Sequence, residues 1–521
     1  MSFRFANFLN HSRKAHHTPH SRLVQTPEPL WYRLVPEEKT FVAGNWVTSA
    51  SGRTFPVTNP ANGHVLRTVP AMSSAAAEQA INAASTAQKI WATRPPNERA
   101  SVIRRWAQSL RSNQEALARL ITAENGKTIS DARTEVSSGA SGLEWYAEEV
   151  RRNYGYFVPP LQKSGRRQIV HHQPVGVIGV ITPWNFPLSM ITRKAGAALA
   201  AGCAVVLKPA EDTPLTALAI THLAVTEAGL PPELLSTITA ARDVEGAQQI
   251  AETFCNHPDV RMIGFTGSTV VGKMIYKKAA AHAKRVLLEM GGNAPLLVFR
   301  SANLEKAVEG AIAAKFRCSG QTCVCVNRIY VENDIYESFV QKLAEGVSKL
   351  KMGDGSIEDT KIGPLVNRKA VDKVEGLVNS AKKDGAIALV GGERPKDEEF
   401  AHGSFYPATV LSECHSEMAC VRNEIFGPVA PVCRFSKEDE AFKLANQTPY
   451  GLAAYVYTQD IRQIWRASVE LQYGMVGINT PWVSTPEMPF GGVKDSGIGR
   501  EGGPHALEEF MDTKTICWDI D

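Results

Sequence analysis

The sequence predicts an α/β fold with a doubly wound parallel sheet in one domain, a second α/β domain and a small oligomerisation segment. From residue 174 onward, short apolar runs rich in β-branched residues alternate with helical patterns. This alternation is typical of parallel strands that helices cover on both faces. The 521 residues also exceed what a single hydrophobic core usually organises, so we expect two or three domains.

The elements before residue 290 belong to the first domain. Apolar residues recur at spacings of three and four between residues 73 and 128, which predicts amphipathic helices separated by Pro95 and Pro96. Residues 138–154 predict a further helix. Strands are predicted at 175–181, 204–207, 260–265 and 285–288, the first three followed by helices that reach 199, 216–228 and 273–283.

The alternation restarts after residue 291. Strands are predicted at 294–299 and 328–331, and helices at 304–315 and 335–350. The predicted organisation is an N-terminal extension (1–37), a first domain (38–290) with an oligomerisation hairpin near 155–173, a second domain (291–485) and a tail (486–521) that returns to the first domain. Residues 515–518 of the tail predict an edge strand for pairing with another chain.

Composition and charge exclude several classes of protein. The net charge is +4 with both signs interspersed, so we expect no nucleic-acid partner. The longest apolar runs are too short, or too rich in glycine and alanine, to cross a membrane. Nine cysteines without paired spacing favour reduced, intracellular thiols. We predict no metal site.

The first 27 residues are basic and histidine-rich, and they contain no acidic residue before Glu28. This composition, with interspersed phenylalanines, fits a mitochondrial transit peptide. The alternative is a polar extension without an address. We therefore predict a mitochondrial location, with a cytoplasmic one as the alternative.

A dinucleotide site is predicted at the ends of the first-domain strands. Gly267, Ser268 and Gly272 form a glycine turn between a strand and a helix, where backbone amides approach a pyrophosphate. Lys208 and Glu211 follow the neighbouring strand, and a carboxylate there accepts bonds from ribose hydroxyls and repels a 2′-phosphate. NAD is favoured over NADP. The alternatives are a tight turn and a solvated ion pair.

Three further segments predict a nucleophilic active site. Cys323 follows Gly320 in a glycine-flanked turn, and Glu289 ends a strand 34 residues earlier. A thiol attacks a carbonyl carbon as thiolate, and the resulting thioester needs an activated water for hydrolysis. Asn185 lies on a turn between two prolines, where its neutral amide suits an oxyanion. The alternative for Asn185 is a turn-capping residue.

Across residues 38–521 the sequence resembles the NAD(P)-dependent aldehyde dehydrogenase superfamily. The resemblance rests on motifs in the same order along the chain: 183–187, 208–211, 265–268, 288–292, 320–323, 424–428 and 489–492. It implies that the first domain binds the cofactor, that the second is catalytic and that the enzyme is a homodimer or homotetramer.

The resemblance also implies a role for each residue in these motifs. Cys323 would attack the aldehyde, the Asn185 amide and the Cys323 backbone N–H would stabilise the oxyanion, and Glu289 would activate the water that hydrolyses the thioester. Lys194 matches a lysine of the active-site helix. The residues expected to contact the cofactor are Ile181, Trp184, Lys208, Glu211, Gly267, Ser268, Gly272, Glu424 and Phe426.

Two arginines predict an aldehyde with a second carboxylate. Arg193 lies eight residues after Asn185 and Arg317 six residues before Cys323, and guanidinium groups bind carboxylates through bidentate hydrogen bonds. With Ser484 they are similar to the succinate semialdehyde dehydrogenase subfamily, whose reaction ends 4-aminobutyrate degradation. The alternatives are structural ion pairs and, for the substrate, glutarate semialdehyde or another small aldehyde.

Departures from the family pattern leave other questions open. Cys318 stands where the family usually has asparagine, and Glu487-Met488 precede the proline of the last motif.

Cys325, two residues from the nucleophile, predicts a redox role in which a strained disulfide with Cys323 stops catalysis; the alternative is a free thiol. A CoA-acylating relative is disfavoured because Glu289 would have no use there. A non-catalytic structural protein of the same fold is the distant alternative.

Overall fold

The computed structural model describes residues 29–161 and 165–519. Residues 1–28 of the predicted N-terminal extension, the possible transit peptide, lie outside the described residues. Of the remaining predicted extension, Trp31, Leu34 and Val35 are buried in the core of the first domain, so the packed part of the chain begins before residue 38.

The described residues form twenty strands, which we number in chain order: β1 (Thr40–Val42), β2 (Asn45–Val47), β3 (Thr54–Thr58), β4 (Val65–Pro70), β5 (Tyr156–Val158), β6 (Arg166–Pro174), β7 (Val177–Ile181), β8 (Ala204–Lys208), β9 (Leu235–Thr237), β10 (Val260–Thr266), β11 (Arg285–Glu289), β12 (Ala294–Val298), β13 (Val326–Glu332), β14 (Ile387–Val390), β15 (Thr409–Cys414), β16 (Val429–Phe435), β17 (Ala453–Tyr457), β18 (Met475–Ile478), β19 (Gly497–Ile498) and β20 (Met511–Asp519).

The α-helices of the same residues are numbered likewise: α1 (Ser74–Thr93), α2 (Pro96–Ser112), α3 (Gln114–Asn125), α4 (Ile129–Glu149), α5 (Ser189–Ile191), α6 (Ala197–Ala201), α7 (Pro214–Thr226), α8 (Gln249–Asn256), α9 (Thr269–Ala280), α10 (Leu304–Phe316), α11 (Tyr336–Ser348), α12 (Arg368–Lys383), α13 (Ala419–Arg422), α14 (Glu438–Asn446) and α15 (Ile461–Glu470). A π-helical turn at Thr192–Gly196 joins α5 to α6. Among these residues no helix has both the length and the apolar character that crossing a membrane requires.

The first sheet has eight strands in the order β19-β11-β10-β7-β8-β9-β1-β2. Its centre, from β11 to β9, is parallel, and the strands are buried because helices cover both faces. The predicted α/β fold with a doubly wound parallel sheet is confirmed. The edges are antiparallel, and β19 on β11 comes from the tail of the chain.

The second sheet has seven strands in the order β14-β15-β16-β13-β12-β17-β18, all parallel except β14. Its strands come from residues 294–478, within the predicted second domain. Both faces are packed, and the two clusters of buried residues on them include Tyr336 and Tyr406.

The tail strand β20 pairs with a strand of its own chain along one edge. It runs antiparallel to β6 over nine residue pairs, and β5 lies on the other side of β6. The prediction that residues 515–518 form an edge strand for pairing with a second chain stays a prediction, because β6 pairs with only one edge of β20. The three-stranded sheet order leaves β20 at an edge.

Helix α4 begins nine residues before the predicted start at residue 138. Thr128 caps it, since its side chain accepts a hydrogen bond from the backbone N–H of Asp131. The first turn contains Asp131 and is followed by the buried Glu135. Because these residues are polar, the spacing of apolar residues did not predict where the helix begins. The helix ends at Glu149, earlier than predicted, in a 3₁₀ turn.

The carboxyl ends of four parallel strands lie in one line across the first sheet. Ile181 is in register with Lys208 on one side and with Phe265 on the other, and Thr266 is in register with Glu289. Because ligands of doubly wound sheets bind at this edge, the line of strand ends defines where the site is expected.

Candidate active site

The segment that carries Cys323 begins with three consecutive residues in the left-handed region. Cys318, Ser319 and Gly320 have φ angles of 49°, 56° and 72°. A residue with a side chain loses about 1–2 kcal/mol in this conformation, so the surrounding structure must hold the turn in place. A Cβ on Gly320 would lie 2.2 Å from the carbonyl oxygen of Gly427, which is why only glycine fits there.

Three hydrogen bonds, one to α4 and two to the 363–366 loop, hold this turn. The backbone N–H of Cys318 donates to Asp131 Oδ2 at 3.1 Å, and Ser319 Oγ donates to the carbonyl of Gly363 at 2.9 Å. The side-chain oxygen of Gln321 accepts from the backbone N–H of Val366 at 2.9 Å. The nucleophile segment is therefore fixed from both domains before any ligand arrives.

Cys323 lies where two cavities meet. The thiol cavity has a volume of about 270 Å³ and the arginine cavity about 190 Å³, and both include Cys323 and Met190 in their walls. The thiol cavity is lined by Pro183, Trp184, Asn185, Met190, Thr266, Gly267, Ser268, Met290, Gly291, Cys323, Ala370, Lys373, Glu424 and Phe426. The arginine cavity is lined by Asp131, Thr134, Glu135, Ser138, Phe186, Ser189, Met190, Arg193, Arg317, Cys318, Thr322, Cys323, Val324, Trp482, Ser484 and Phe490.

The surroundings of Cys323 favour the neutral thiol. Burial raises its pKa to about 12, and the carboxylates of Glu289 and Glu424 act in the same direction, while Arg193 opposes them. In the resting enzyme the sulfur is therefore protonated, and attack on a carbonyl requires a base or a rearrangement of charge.

Glu289 ends β11 with a buried carboxylate, and neither of its oxygens has a hydrogen-bond partner among the described residues. Burial raises its pKa well above the ordinary value, and the nearby Glu501 adds to this effect. A Cβ on Gly491 would lie 2.8 Å from Glu289 Oε1, so the space beside the carboxylate depends on that glycine. A buried, unpaired carboxylate with a raised pKa has the properties of a general base near neutral pH.

Lys194 lies behind Glu289 rather than in the wall of either cavity. Its ammonium group forms a fully buried ion pair with Glu501 and also contacts Thr266 Oγ1. The predicted catalytic role of Lys194 stays a prediction, and its contacts connect it to the end of β10 and to the tail. Glu501, which we did not predict, sits in the tail and has one carboxylate oxygen without a partner among the described residues.

Asn185 presents its side chain next to the nucleophile segment. Its Nδ2 donates to the carbonyl of Gln321 at 3.1 Å, and its buried Oδ1 has no partner among the described residues. Its own carbonyl accepts a 2.6 Å hydrogen bond from the buried Lys127, which is paired with Glu135 at 2.6 Å. The amide is thus held against the backbone of Gln321, which precedes Cys323 by two residues in the sequence.

Glu424 and Phe426 lie on the other side of the thiol cavity. Glu424 Oε1 accepts from the backbone N–H of Gly292 at 3.0 Å, and burial raises the pKa of its carboxyl. The ring of Phe426 meets Trp184 edge-to-face, with centroids 5.5 Å apart. Together they form a carboxylate and an aromatic wall facing the sulfur across the cavity.

A third cavity, the strand-end cavity, lies along the carboxyl ends of β7 and β8 and has a volume of about 490 Å³. Its wall includes the predicted residues Ile181, Lys208 and Glu211. Glu211 forms an ion pair with Arg242, a residue that sequence reasoning missed because it lies on a loop 31 positions away. Lys208 and Arg242 lower the pKa of Glu211 against the opposing effect of burial.

The residues of the predicted glycine turn have two different roles. Gly267 and Ser268 line the thiol cavity, and the Ser268 hydroxyl caps α9 by accepting from the backbone N–H of Val271. Gly272 lines none of the three cavities. A Cβ there would lie 2.4 Å from Met290 Sδ, so this glycine permits close packing of α9 on the end of β11.

The two predicted arginines and Ser484 meet in the arginine cavity. Arg193 Nη2 donates to Ser484 Oγ at 2.6 Å, whereas its Nη1 is buried and has no hydrogen-bond partner among the described residues. The guanidinium of Arg193 lies 4.4 Å from the Phe490 ring centroid, and that of Arg317 lies 5.2 Å from the Trp482 ring centroid. Trp482 was not predicted from the sequence, and Phe490 was noted only as part of the 489–492 motif.

The two acidic residues of this cavity are engaged in structural contacts. Glu135 pairs with Lys127 and accepts from the backbone N–H groups of Leu188 and Ser189, and Asp131 accepts from Cys318. Because Lys127 neutralises Glu135, the two arginines outweigh the remaining carboxylate of Asp131 and make the cavity positive.

Cys325 lines none of the three cavities. Its sulfur lies 3.3 Å from the carbonyl of Gly320 and 3.8 Å from Nζ of the buried Lys315, whose pKa is lowered by burial. All nine cysteines lie in the described ranges and are free. The redox role of Cys325 stays a prediction.

The comparison with known proteins identifies the family. The sequence profile of the aldehyde dehydrogenase family matches residues 46–516, and the chain belongs to this family of oxidoreductases. The resemblance inferred from the sequence motifs is confirmed.

Several relatives are similar along nearly the whole chain. The chain is 47% identical over 480 residues to the mitochondrial succinate-semialdehyde dehydrogenase of Rattus norvegicus, covering 92% of this chain and 90% of the relative. It is 46% identical to the 3-sulfolactaldehyde dehydrogenase and 45% identical to the glutarate-semialdehyde dehydrogenase of Pseudomonas putida, covering 92% of this chain and 97% of each relative.

A solved structure described as an NADP-dependent enzyme of E. coli superposes with a TM-score of 0.90 at 43% identity, covering 94% of this chain and 99% of that chain. The aldehyde dehydrogenase fold is therefore shown by sequence and by structure.

The raised pKa of Cys323 predicts slow alkylation of the free enzyme at neutral pH. We expect iodoacetamide to modify Cys323 at a rate that keeps rising from about pH 7 to about pH 10, because the thiolate fraction grows about tenfold per pH unit below the pKa. Peptide mass spectrometry measures the rate, with the exposed Cys517 as the accessible reference in the same sample. A plateau below about pH 8 would contradict this prediction.

Proposed function

We propose that this chain oxidises succinate semialdehyde to succinate with NAD and water, as in the last step of 4-aminobutyrate degradation. The observation that carries the proposal is the buried, unpaired Nη1 of Arg193 in a cavity that opens on Cys323. A buried guanidinium nitrogen without a partner costs free energy unless a ligand satisfies it. The names of the succinate- and glutarate-semialdehyde relatives support an aldehyde with an anionic far end.

The geometry around Arg193 suits one terminal carboxylate. Ser484 and the Phe490 ring fix the guanidinium from two sides, which leaves its other edge for a charge-assisted hydrogen bond. The Ser484 hydroxyl accepts from Arg193, so its own proton is available to the same carboxylate. Arg317 adds a second positive charge in the same wall.

Two alternatives share this chemistry. Glutarate semialdehyde is one methylene longer, and a pocket discriminates one methylene by only about 1–3 kcal/mol. An aldehyde with a sulfonate in place of the carboxylate, such as that named for one Pseudomonas putida relative, is also an anion. We favour succinate semialdehyde because Arg193, Arg317 and Ser484 are similar to the residues of that subfamily and because several similar relatives carry its name.

We propose that NAD binds along the line of strand ends, from the strand-end cavity to the thiol cavity. Ile181, Lys208 and Glu211 would hold the adenosine half, with Glu211 accepting from the ribose hydroxyls. Gly267 and Ser268 lie at the N-terminus of α9, where backbone amides suit a pyrophosphate. Glu424, Phe426 and Trp184 line the cavity that would hold the nicotinamide, and the bound cofactor supplies the acceptor for the hydride.

Different protein residues act in the two half-reactions, which are formation of the thioester and its hydrolysis. Cys323 Sγ attacks the carbonyl carbon of the aldehyde as its proton leaves to a nearby base, and the Asn185 amide and the Cys323 backbone N–H stabilise the oxyanion. Once the thioester has formed, Glu289 takes a proton from the water that hydrolyses it. The raised pKa of Glu289 makes it an effective base for this step.

We also propose that the enzyme is a homodimer or homotetramer. The three-stranded sheet of β5, β6 and β20 exposes Tyr156, Phe157, Ile516 and Trp518, each at least 40% accessible. A group of exposed apolar side chains on one small sheet is typical of a protein–protein interface. A mitochondrial location is proposed from the composition of residues 1–27 and is supported by the name of the rat relative; a cytoplasmic one is the alternative.

Replacing the proposed base separates the two half-reactions. In Glu289→Gln we expect one equivalent of NADH per active site in a rapid burst and a steady rate lower by about 10²–10⁴-fold, because hydrolysis lacks its base. NADH absorbance after rapid mixing measures both phases, and intact-protein mass spectrometry detects the acyl-enzyme. Glu337→Gln, at an exposed carboxylate on α11, is the control. If the burst is lost as well, Glu289 acts before the thioester forms.

Removing the guanidinium of Arg193 tests the substrate. We expect Arg193→Gln to lower kcat/KM for succinate semialdehyde by about tenfold to hundredfold, since hydrogen bonds to a charged group are lost, and for butanal by less than about threefold. Arg300→Gln, at a surface arginine, is the matched control. An equal loss with both aldehydes would mean that Arg193 supports the site without binding a carboxylate.

The size of the particle in solution tests the proposed assembly. We expect light scattering after gel filtration to give twice or four times the chain mass of 56.7 kDa, and Trp518→Glu to shift it towards the monomer because a charge is placed in the interface. Val65→Glu, at an exposed apolar residue of β4, should leave the mass unchanged. A wild-type protein that elutes as a monomer contradicts the proposal.

A further inference from the structure

Arg242 lies in the wall of the strand-end cavity and pairs with two adjacent carboxylates. Its Nε contacts Glu211 Oε1, and its Nη2 lies 2.6 Å from Asp212 Oδ2. The arginine side chain is 53% exposed, whereas the two carboxylates are below 20%. The guanidinium therefore covers both acids from the solvent side, at the point where the proposed cofactor would place its adenosine ribose.

The ion pair with Arg242 alters the effect of Glu211 on the choice between NAD and NADP. A free carboxylate at the end of β8 repels a 2′-phosphate, which is the reason that such a residue favours NAD. Here the negative charge is compensated by Arg242 on one side and by Lys208, which lowers the pKa of Glu211, on the other. The local field at the ribose position is consequently close to neutral, and electrostatic rejection of a phosphate is weak.

Arg242 is also free to exchange partners. Ion pairs at exposed arginines are weak and easily rearranged, and the planar guanidinium fork matches a phosphate bidentately. Asp212 has a second contact, because Asn367 Nδ2 donates to its Oδ1 at 3.4 Å. If Arg242 turned towards a phosphate, Asp212 would keep one hydrogen bond and Glu211 would keep Lys208 nearby.

We propose that Arg242 is a specificity-determining residue that lets the same site accept NADP as well as NAD. With NAD, Arg242 stays on Glu211 and Asp212, and Glu211 accepts from the ribose hydroxyls. With NADP, the guanidinium exchanges Glu211 for the 2′-phosphate. The inference rests on the proposed binding of the adenosine half in the strand-end cavity.

A second cation in the same wall provides the matched control. Lys278 lines the strand-end cavity and pairs with Glu252 at 2.7 Å, whereas Arg242 pairs with Glu211. Lys278→Gln removes the same formal charge from the same cavity. It should therefore show the effect that loss of one positive charge has on binding, without the exchange of Arg242 from Glu211 to a phosphate.

The test measures binding of two adenosine-half probes to the full-length enzyme by isothermal titration calorimetry, without turnover. ADP carries no 2′-phosphate and 2′,5′-ADP carries one. We expect the wild type to bind both, and Arg242→Gln to weaken 2′,5′-ADP by at least about tenfold while changing ADP by less than about threefold. Lys278→Gln should change the ratio of the two affinities by less than about threefold, and Glu211→Gln should shift it towards 2′,5′-ADP.

Several results would contradict the proposed role of Arg242. A wild type that binds ADP but not 2′,5′-ADP overturns it, as does an Arg242→Gln variant that loses both probes equally or neither. A wild type that binds neither probe rejects the proposed cofactor site itself, and the role of Arg242 fails with it. Retained ADP binding by Arg242→Gln shows in the same experiment that the variant is folded.

Discussion

The buried ion pair between Lys127 and Glu135 organises most of the active site. Lys127 donates to the carbonyl of Asn185, and Glu135 accepts from the backbone N–H groups of Leu188 and Ser189. One pair thus orients both the amide turn and the start of the helix that carries Arg193. A buried ion pair contributes little net stability, but loss of one partner costs about 3–5 kcal/mol because the other charge is left unpaired. The site is built around this constraint.

The same stretch of chain explains what sequence reasoning could and could not predict. The strand ends at Ile181, Lys208 and Glu289 were predictable because buried parallel strands leave a continuous apolar pattern followed by glycine or proline. The beginning of α4 was missed because its first turn is polar, and that turn supplies Asp131 to the nucleophile segment. Partners such as Arg242 and Glu501 lie 31 and 307 positions from the residues they contact, and no local pattern encodes such pairings.

Electrostatically, the surroundings of Cys323 favour its neutral thiol. Burial raises the pKa of the Cys323 thiol to about 12 and keeps it protonated, and burial together with the nearby Glu501 raises the pKa of Glu289. The arginine cavity on the opposite side is positive, since its acids are occupied by Lys127 and backbone donors. An anionic substrate would bring negative charge to the arginines and an electrophilic carbon to the sulfur together. A neutral resting thiol also resists oxidation, which proceeds through the thiolate.

The return of the tail to the first sheet has a consequence for synthesis. Strand β19 completes the edge beside Glu289, and Glu501 is the counter-ion of the buried Lys194. A nascent chain that has left the ribosome as far as residue 490 already contains Asn185, Glu289 and Cys323, yet Lys194 has no carboxylate to bury against. The catalytic centre therefore closes only after residues 491–501 have been synthesised, so shorter polypeptides carry the reactive residues without the architecture that makes them an enzyme.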